Sequence, residues 1–162
     1  MNYTETSSLL IEHELDTLEK NSRFLETKKY WQHGGISVYE HCINVAKMSC
    51  KIADIYHLDV NYPAMIRGAL LHDYFLYNQH DKQSSHRLHG WKHPRIASQN
   101  AKRDCNVTPL EEDIILRHMF PLTPFSPAFL EGWIVSLADK ICACMELYQN
   151  YKRRLSHAVS AK

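Results

Sequence analysis

Apolar residues recur every three or four positions along most of this chain, and period-two alternation is never sustained. That pattern predicts helices without a significant sheet. Leu10, Leu15, Leu18, Phe24 and Leu25 mark a first helix from Leu9 to about Tyr30, broken by His33-Gly34-Gly35. Ser37 with Glu40 three residues later forms a capping box for a second helix to about His57, with Ile43, Val45, Ala46, Ile52 and Ala53 inward. Asn61-Tyr62-Pro63 starts a third helix that ends at His72-Asp73. A polar loop follows from Asn78 to about Trp91, and Pro94 suits the first turn of a fourth helix ending near Cys105. Thr108-Pro109-Leu110-Glu111 joins an N-cap, an N1 proline and a capping-box glutamate, which predicts a fifth helix to His118. Pro121, Pro124 and Pro127 keep the next segment out of helix, and a last long helix runs from about Glu131 to Arg154. The expected fold is an all-α bundle of about six helices in one domain spanning 1–162, with residues 7–30 as an accessory helix.

The 162 residues suffice to bury a core. A formal charge of +1 gives no reason to expect a nucleic-acid polymer as partner, and Lys152-Arg153-Arg154 reads as a solvated helix end. Glu5, Glu12 and Glu14 stand where a signal peptide would need an apolar run, and no stretch is apolar enough to span a bilayer. Five cysteines without a CxxC pair fit a reducing cytoplasm with free, mostly buried thiols, Cys142 and Cys144 among them.

Eleven histidines are many for this length. Some fall in an order that changes the picture: His41, then His72-Asp73, then His93, His118 and Asp139, each in or beside a predicted amphipathic helix. Imidazoles and carboxylates on neighbouring helices of a bundle converge to hold divalent metal ions. Singly, each has an ordinary explanation: His118 as a dipole-complementing helix end, Asp139 as an arginine partner, His41 as an interior histidine. Asp139 nevertheless lies in the apolar segment Ser136-Leu137-Ala138-Asp139, where an unpaired charge is costly. Asp73 has two oxygens and is suited to bridge two cations.

These residues resemble the HD superfamily of metal-dependent phosphohydrolases, and in particular small single-domain members of the Firmicutes type. The likeness lies in Ser37-Val38-Tyr39-Glu40-His41, Ala69-Leu70-Leu71-His72-Asp73, His93-Pro94-Arg95-Ile96-Ala97 and Leu137-Ala138-Asp139-Lys140, within a core of about residues 33–150. The resemblance implies a first metal on His41, His72, Asp73 and Asp139, and a second on His93 and His118 with Asp73 bridging. Two divalent transition-metal ions (Fe, Mn, Ni, Co or Zn) are the implied cofactor. Signalling members that cleave cyclic dinucleotides carry a second histidine where Met119 stands and a lysine where Leu76 stands, so cyclic di-GMP is not the expected substrate.

The function implied is hydrolysis of a small phosphoester, a nucleotide or dinucleotide, by hydroxide bridging the metals. The alternatives are a di-iron oxygenase on the same ligand set and a non-catalytic nucleotide- or metal-sensing domain. Besides Asp73, the catalytic candidates are Lys140 and His89, the latter a rival ligand to His93 or a proton donor. Lys140, Arg117 and His33 are the candidate substrate contacts, and a homodimer is compatible with the sequence.

Overall fold

The computed structural model describes the backbone of residues 3–32, 35–78 and 89–160, with side chains apart from those of residues 3–5, 89 and 157–160. Among the described residues there are six α-helices: α1 (Tyr3–Asn21), α2 (Val38–Ile55), α3 (Tyr62–Leu71), α4 (His89–Cys105), α5 (Pro109–Arg117) and α6 (Leu130–Ser160). A 3₁₀ helix, Phe24–Lys29, follows α1. A lone bridge between Trp31 and Ser37 is the sole β-type pairing among them. No helix among the described residues is long and apolar enough to cross a membrane.

The helix starts follow the cap chemistry. Ser37 accepts from the Glu40 amide while the Glu40 carboxylate takes the Ser37 amide, and Thr108 and Glu111 repeat the arrangement at α5. Asn61 caps α3 through the Ala64 amide. The first helix departs from expectation: its α-helical part closes at Asn21. The Ser22 hydroxyl donates to the Leu18 carbonyl at 2.6 Å and accepts from the Phe24 amide at 3.1 Å, which turns the chain into the 3₁₀ segment. The fourth helix is already formed at His89, so Pro94 lies inside it instead of in its first turn. At the sixth position it lies beyond the four amides that have no partner within the helix, so the ladder lacks one bond there.

α2 packs against α3 and α6, and α5 packs against α3, α4 and α6; α1 lies across α2 and α3. The core is drawn from all these helices, with Val45, Ile66, Leu70, Ile114, Val135 and Ala138 essentially inaccessible. One close approach sets the site. A Cβ at Gly68 would stand 2.7 Å from an Ile114 methyl, so glycine lets α3 and α5 come together. Their C-terminal ends, where His72 and His118 sit, are thereby brought side by side.

Candidate metal centre

Six sequence-predicted candidate ligands converge at the centre of the bundle, five of them lining one pocket and His72 fully buried beside it. His41 lies in the second turn of α2, just inside the Ser37 capping box. His72 and His118 are the C-cap residues of α3 and α5. Asp73 follows His72, His93 comes from α4 and Asp139 from α6. His41, His72, Asp73, His93 and His118 are all buried. The segment carrying Asp73 is pinned from behind: the buried Tyr74 donates its hydroxyl to Asp104 at 2.9 Å, and the Asn100 amide donates to the Tyr74 carbonyl at 2.9 Å.

Asp73 divides its two oxygens between two sides. Oδ2 is 3.5 Å from His72 Nε2 and 3.9 Å from His41 Nε2. Oδ1 is 3.1 Å from His93 Nε2 and 3.7 Å from His118 Nε2. Asp139 Oδ1 stands 3.1 Å from His41 Nε2 and 3.7 Å from His72 Nε2. Two groups have ligand atoms within 4.8 Å of one another: His41, His72 and Asp139, and His72, Asp73 and His118. His72 belongs to both. His93 joins the second side, with its Nε2 2.9 Å from that of His118.

The tautomers follow from the outer contacts. His72 Nδ1–H donates to the Ala69 carbonyl at 2.7 Å, and His118 Nδ1–H donates to the Ile115 carbonyl at 2.8 Å. In both, the ring folds back onto its own helix and offers Nε2 to the pocket. His41 differs: its Nδ1–H donates to the Glu146 carboxylate at 2.9 Å.

The residues fit a cation. His72 Nε2 and Asp73 Oδ1 are buried, and no hydrogen bond of sound geometry reaches either. Two nitrogens ligating one ion at about 2.0–2.1 Å stand about 3 Å apart, which is the spacing of His93 and His118. An imidazole–carboxylate donor set suits borderline transition metals.

The charges are balanced internally by protons. Burial pushes the His41 imidazole down, but hydrogen bonds to Asp139 and Glu146 outweigh it and raise the group to about 10. Burial, reinforced by the neighbouring His72 and His93, pushes His118 down to about 3. Against burial, the hydrogen bond from His41 and the nearby His72 imidazole hold Asp139 well below the usual carboxylate range, and the neighbouring imidazoles do the same for Asp73.

Above the ligands opens a cavity of about 710 Å³, lined by the polar groups of Gln32, Asp73, His93, Asp139 and Lys140 and by an apolar wall that includes Met119, Pro121 and Leu122. That volume suits a small-molecule ligand. Lys140 lines it with its ammonium bonded to the His118 carbonyl at 2.9 Å and to Ser136, and burial lowers its pKa. Arg117 faces elsewhere. Its guanidinium pairs with Asp113 at 2.8 Å and donates to the Ser126 carbonyl, and it is not among the residues lining the cavity. His33 lies outside the described residues, and so does the side chain of His89, whose backbone opens α4.

Two side chains of the candidate site escaped the sequence reading. Glu146, buried, holds His41. Its spacing of seven from Asp139 puts both on one face of α6, and that signal was available. Gln32 donates to Asp73 Oδ2 from the segment before α2; nothing in the local sequence marks it. Cys144, expected to be buried, is exposed, while the other four cysteines are buried.

A helical bundle that gathers buried imidazoles and carboxylates from five helices around a cavity is an all-α domain with a candidate metal site. Residues 38–144 match the family model described as the HD domain, and the chain belongs to that family. It is also similar to a dihydroneopterin 2',3'-cyclic phosphate phosphodiesterase of Methanocaldococcus jannaschii, at 32% identity over 123 residues. The matched region covers 68% of this chain and 48% of that protein, so the chain spans about half the length of that curated relative. No solved structure matches the chain.

Proposed function

We propose that this protein is a metal-dependent phosphoric ester hydrolase acting on a small phosphoester of the nucleotide or dinucleotide kind. The observation that carries the reading is the placement of Asp73, with one oxygen toward His41 and His72 and the other toward His93 and His118. His41, His72 and Asp139 hold one ion in this reading, His93 and His118 hold the other, and Asp73 lies between them. When bound, the two cations supply positive charge to the phosphoryl oxygens and lower the pKa of a water molecule. The chain's own residues orient the substrate and exclude bulk solvent. Lys140 offers an ammonium from the cavity wall, with a phosphate oxygen displacing the Ser136 hydroxyl as acceptor. His89 opens α4 next to Gly90, which lines the cavity, and is the candidate proton donor to the leaving oxygen. No serine or cysteine nucleophile is required.

The relative named as a cyclic phosphate phosphodiesterase supports trying cyclic phosphodiesters first, followed by nucleotides, dinucleotides and sugar phosphates. Protein stripped with chelator and reloaded with Mn²⁺ should release a phosphomonoester or phosphate from a member of this set. The stripped protein should be inactive. Turnover indifferent to chelation would overturn the proposal. Inactivity across the set, with oxygen-dependent loss of substrate in an iron-loaded sample, would favour the oxygenase.

A further inference from the structure

The outer face of α6 carries an apolar stripe that the bundle does not use. In the half of the helix packed on the body, Leu130, Trp133, Leu137 and Ile141 recur at spacings of three and four. In the other half the stripe continues through Cys144, Tyr148, Tyr151 and Leu155. At 100° per residue these positions fall within one narrow sector, turned away from the buried face that carries Val135, Ala138, Cys142 and Glu146. Six of its large side chains, Leu130, Trp133, Leu137, Tyr148, Tyr151 and Leu155, are exposed, from 45% at Leu130 to 60% at Tyr151, and Ile141 is half-buried. Trp133 touches the ring of Phe120, and among the described residues nothing covers the stripe.

The last turns sharpen the point. Residues 151–156 are all exposed. The positions there that continue the buried face carry Gln149, Arg153 and Ser156, whereas the apolar residues stay on the outer stripe. The sequence keeps an apolar seam where its own core has ended, which is the pattern of a helix with a partner.

We propose that this seam is a homodimer interface in which α6 pairs antiparallel with α6 of a second copy. The stripe is self-complementary about a point between Cys142 and Ala143: Leu130 falls on Leu155, Leu137 on Tyr148 and Ile141 on Cys144. That is the requirement of a two-fold isologous contact. Trp133 falls on Lys152 of the second copy, a cation–aromatic pairing that Lys152 already makes with its own Tyr148 at 5.0 Å. The six large stripe residues are each about half exposed, and Phe125 and Phe129, in the segment before the helix, add exposed apolar surface toward the roughly 800 Å² per partner that a stable pair needs. Antiparallel pairing also sets the two helix dipoles favourably.

The test begins with sedimentation equilibrium of the full chain at micromolar concentration. The expected mass is twice 19.0 kDa, and Leu137→Asp with Tyr148→Asp should return it to one copy with unchanged far-UV circular dichroism. Cys144 is the exposed cysteine of the five, and across the two-fold axis its copies lie about 4.5 Å apart along the helix axis. A short bismaleimide should therefore link the wild type and leave Cys144→Ser unlinked. In the Cys144→Ser background, Leu130→Cys alone should not cross-link, whereas Leu130→Cys with Leu155→Cys should. Within one helix those two positions are about 37 Å apart, so such a link is intermolecular. Cross-linking of Leu130→Cys alone would mean parallel pairing and overturn the proposal. So would a monomeric wild type, including one that pellets with anionic phospholipid vesicles, which would assign the seam to a membrane surface.

Discussion

The two sides of the pocket hold their histidines by different means. On the α2–α6 side, His41 is fixed by the Glu146 carboxylate, with Asp139 at its other nitrogen. On the α4–α5 side, His118 is fixed by a backbone carbonyl of its own helix and faces His93. The same ring type is consequently raised to about 10 in one place and lowered to about 3 in the other. A carboxylate behind an imidazole increases its basicity as a ligand, and a second anion adds charge beside the ion. If two cations bind as proposed, the difference predicts two unequal positions: a carboxylate-rich one with the tighter ion and an imidazole-rich one with the weaker, Asp73 being common to both.

The largest expected effect comes from what the sides share. Asp73→Asn keeps the shape of the side chain but removes its charge, and should empty both positions and abolish turnover. His118→Ala should leave one equivalent of metal, whereas His41→Ala should lower occupancy at both. Metal analysis after dialysis reads this directly, and loss of the same single equivalent in both alanine variants would erase the asymmetry. Next comes Glu146→Gln, which tests the backing of His41 alone. A drop of roughly 10–100-fold in affinity for the tighter equivalent is expected, with the weaker one unchanged, as isothermal titration would show.

These predictions draw unequally on what the sequence makes legible. Ser37-x-x-Glu40 and Thr108-x-x-Glu111 specify two helix starts, because cap chemistry is local and the hydroxyl and carboxylate find amides three residues away. That the six candidate ligands belong together was readable because their types and order carry the chemistry, and the fold brings them together. Their sharing was not readable: His72 lies between both groups because Gly68 admits Ile114, a contact between distant segments. Glu146 was readable in principle, two turns along α6 from Asp139, but its charge among exposed neighbours hid it. Ser22 ended α1 early through a hydroxyl bond that periodicity does not register.

Lys140 and Arg117 compare the wall of the pocket with its outside. Lys140→Ala should raise KM roughly tenfold or more, since a hydrogen bond to a charged group contributes about 1.5–3 kcal/mol. Arg117→Ala should leave KM unchanged, because that guanidinium is held by Asp113 and Ser126. Steady-state kinetics on the first active substrate would decide, and a larger KM effect from Arg117 would redraw the binding wall.

The smallest effect is on stability without metal. His41, at about 10 when folded against 6.5 unfolded, contributes fully below pH 6.5, and that contribution is lost as pH rises toward 10. His118, at about 3 against 6.5, contributes above pH 6.5, and that contribution is lost as pH falls toward 3. The metal-free chain should therefore be most stable near neutral pH in urea melts. If cations bind as proposed, they should take the place of the His41 proton and remove the alkaline decline. An alkaline decline equally steep with and without metal would contradict the assignment of His41 as a ligand.

The central claim is that catalysis depends on two adjoining cations joined through Asp73. Its most direct test is a titration of chelator-stripped protein with Mn²⁺, following bound metal and phosphoester turnover in the same sample. The account predicts a tight first equivalent with little activity, and turnover that rises with the weaker second equivalent and stays absent in Asp73→Asn. Full turnover at one equivalent, or in the stripped protein, would contradict it.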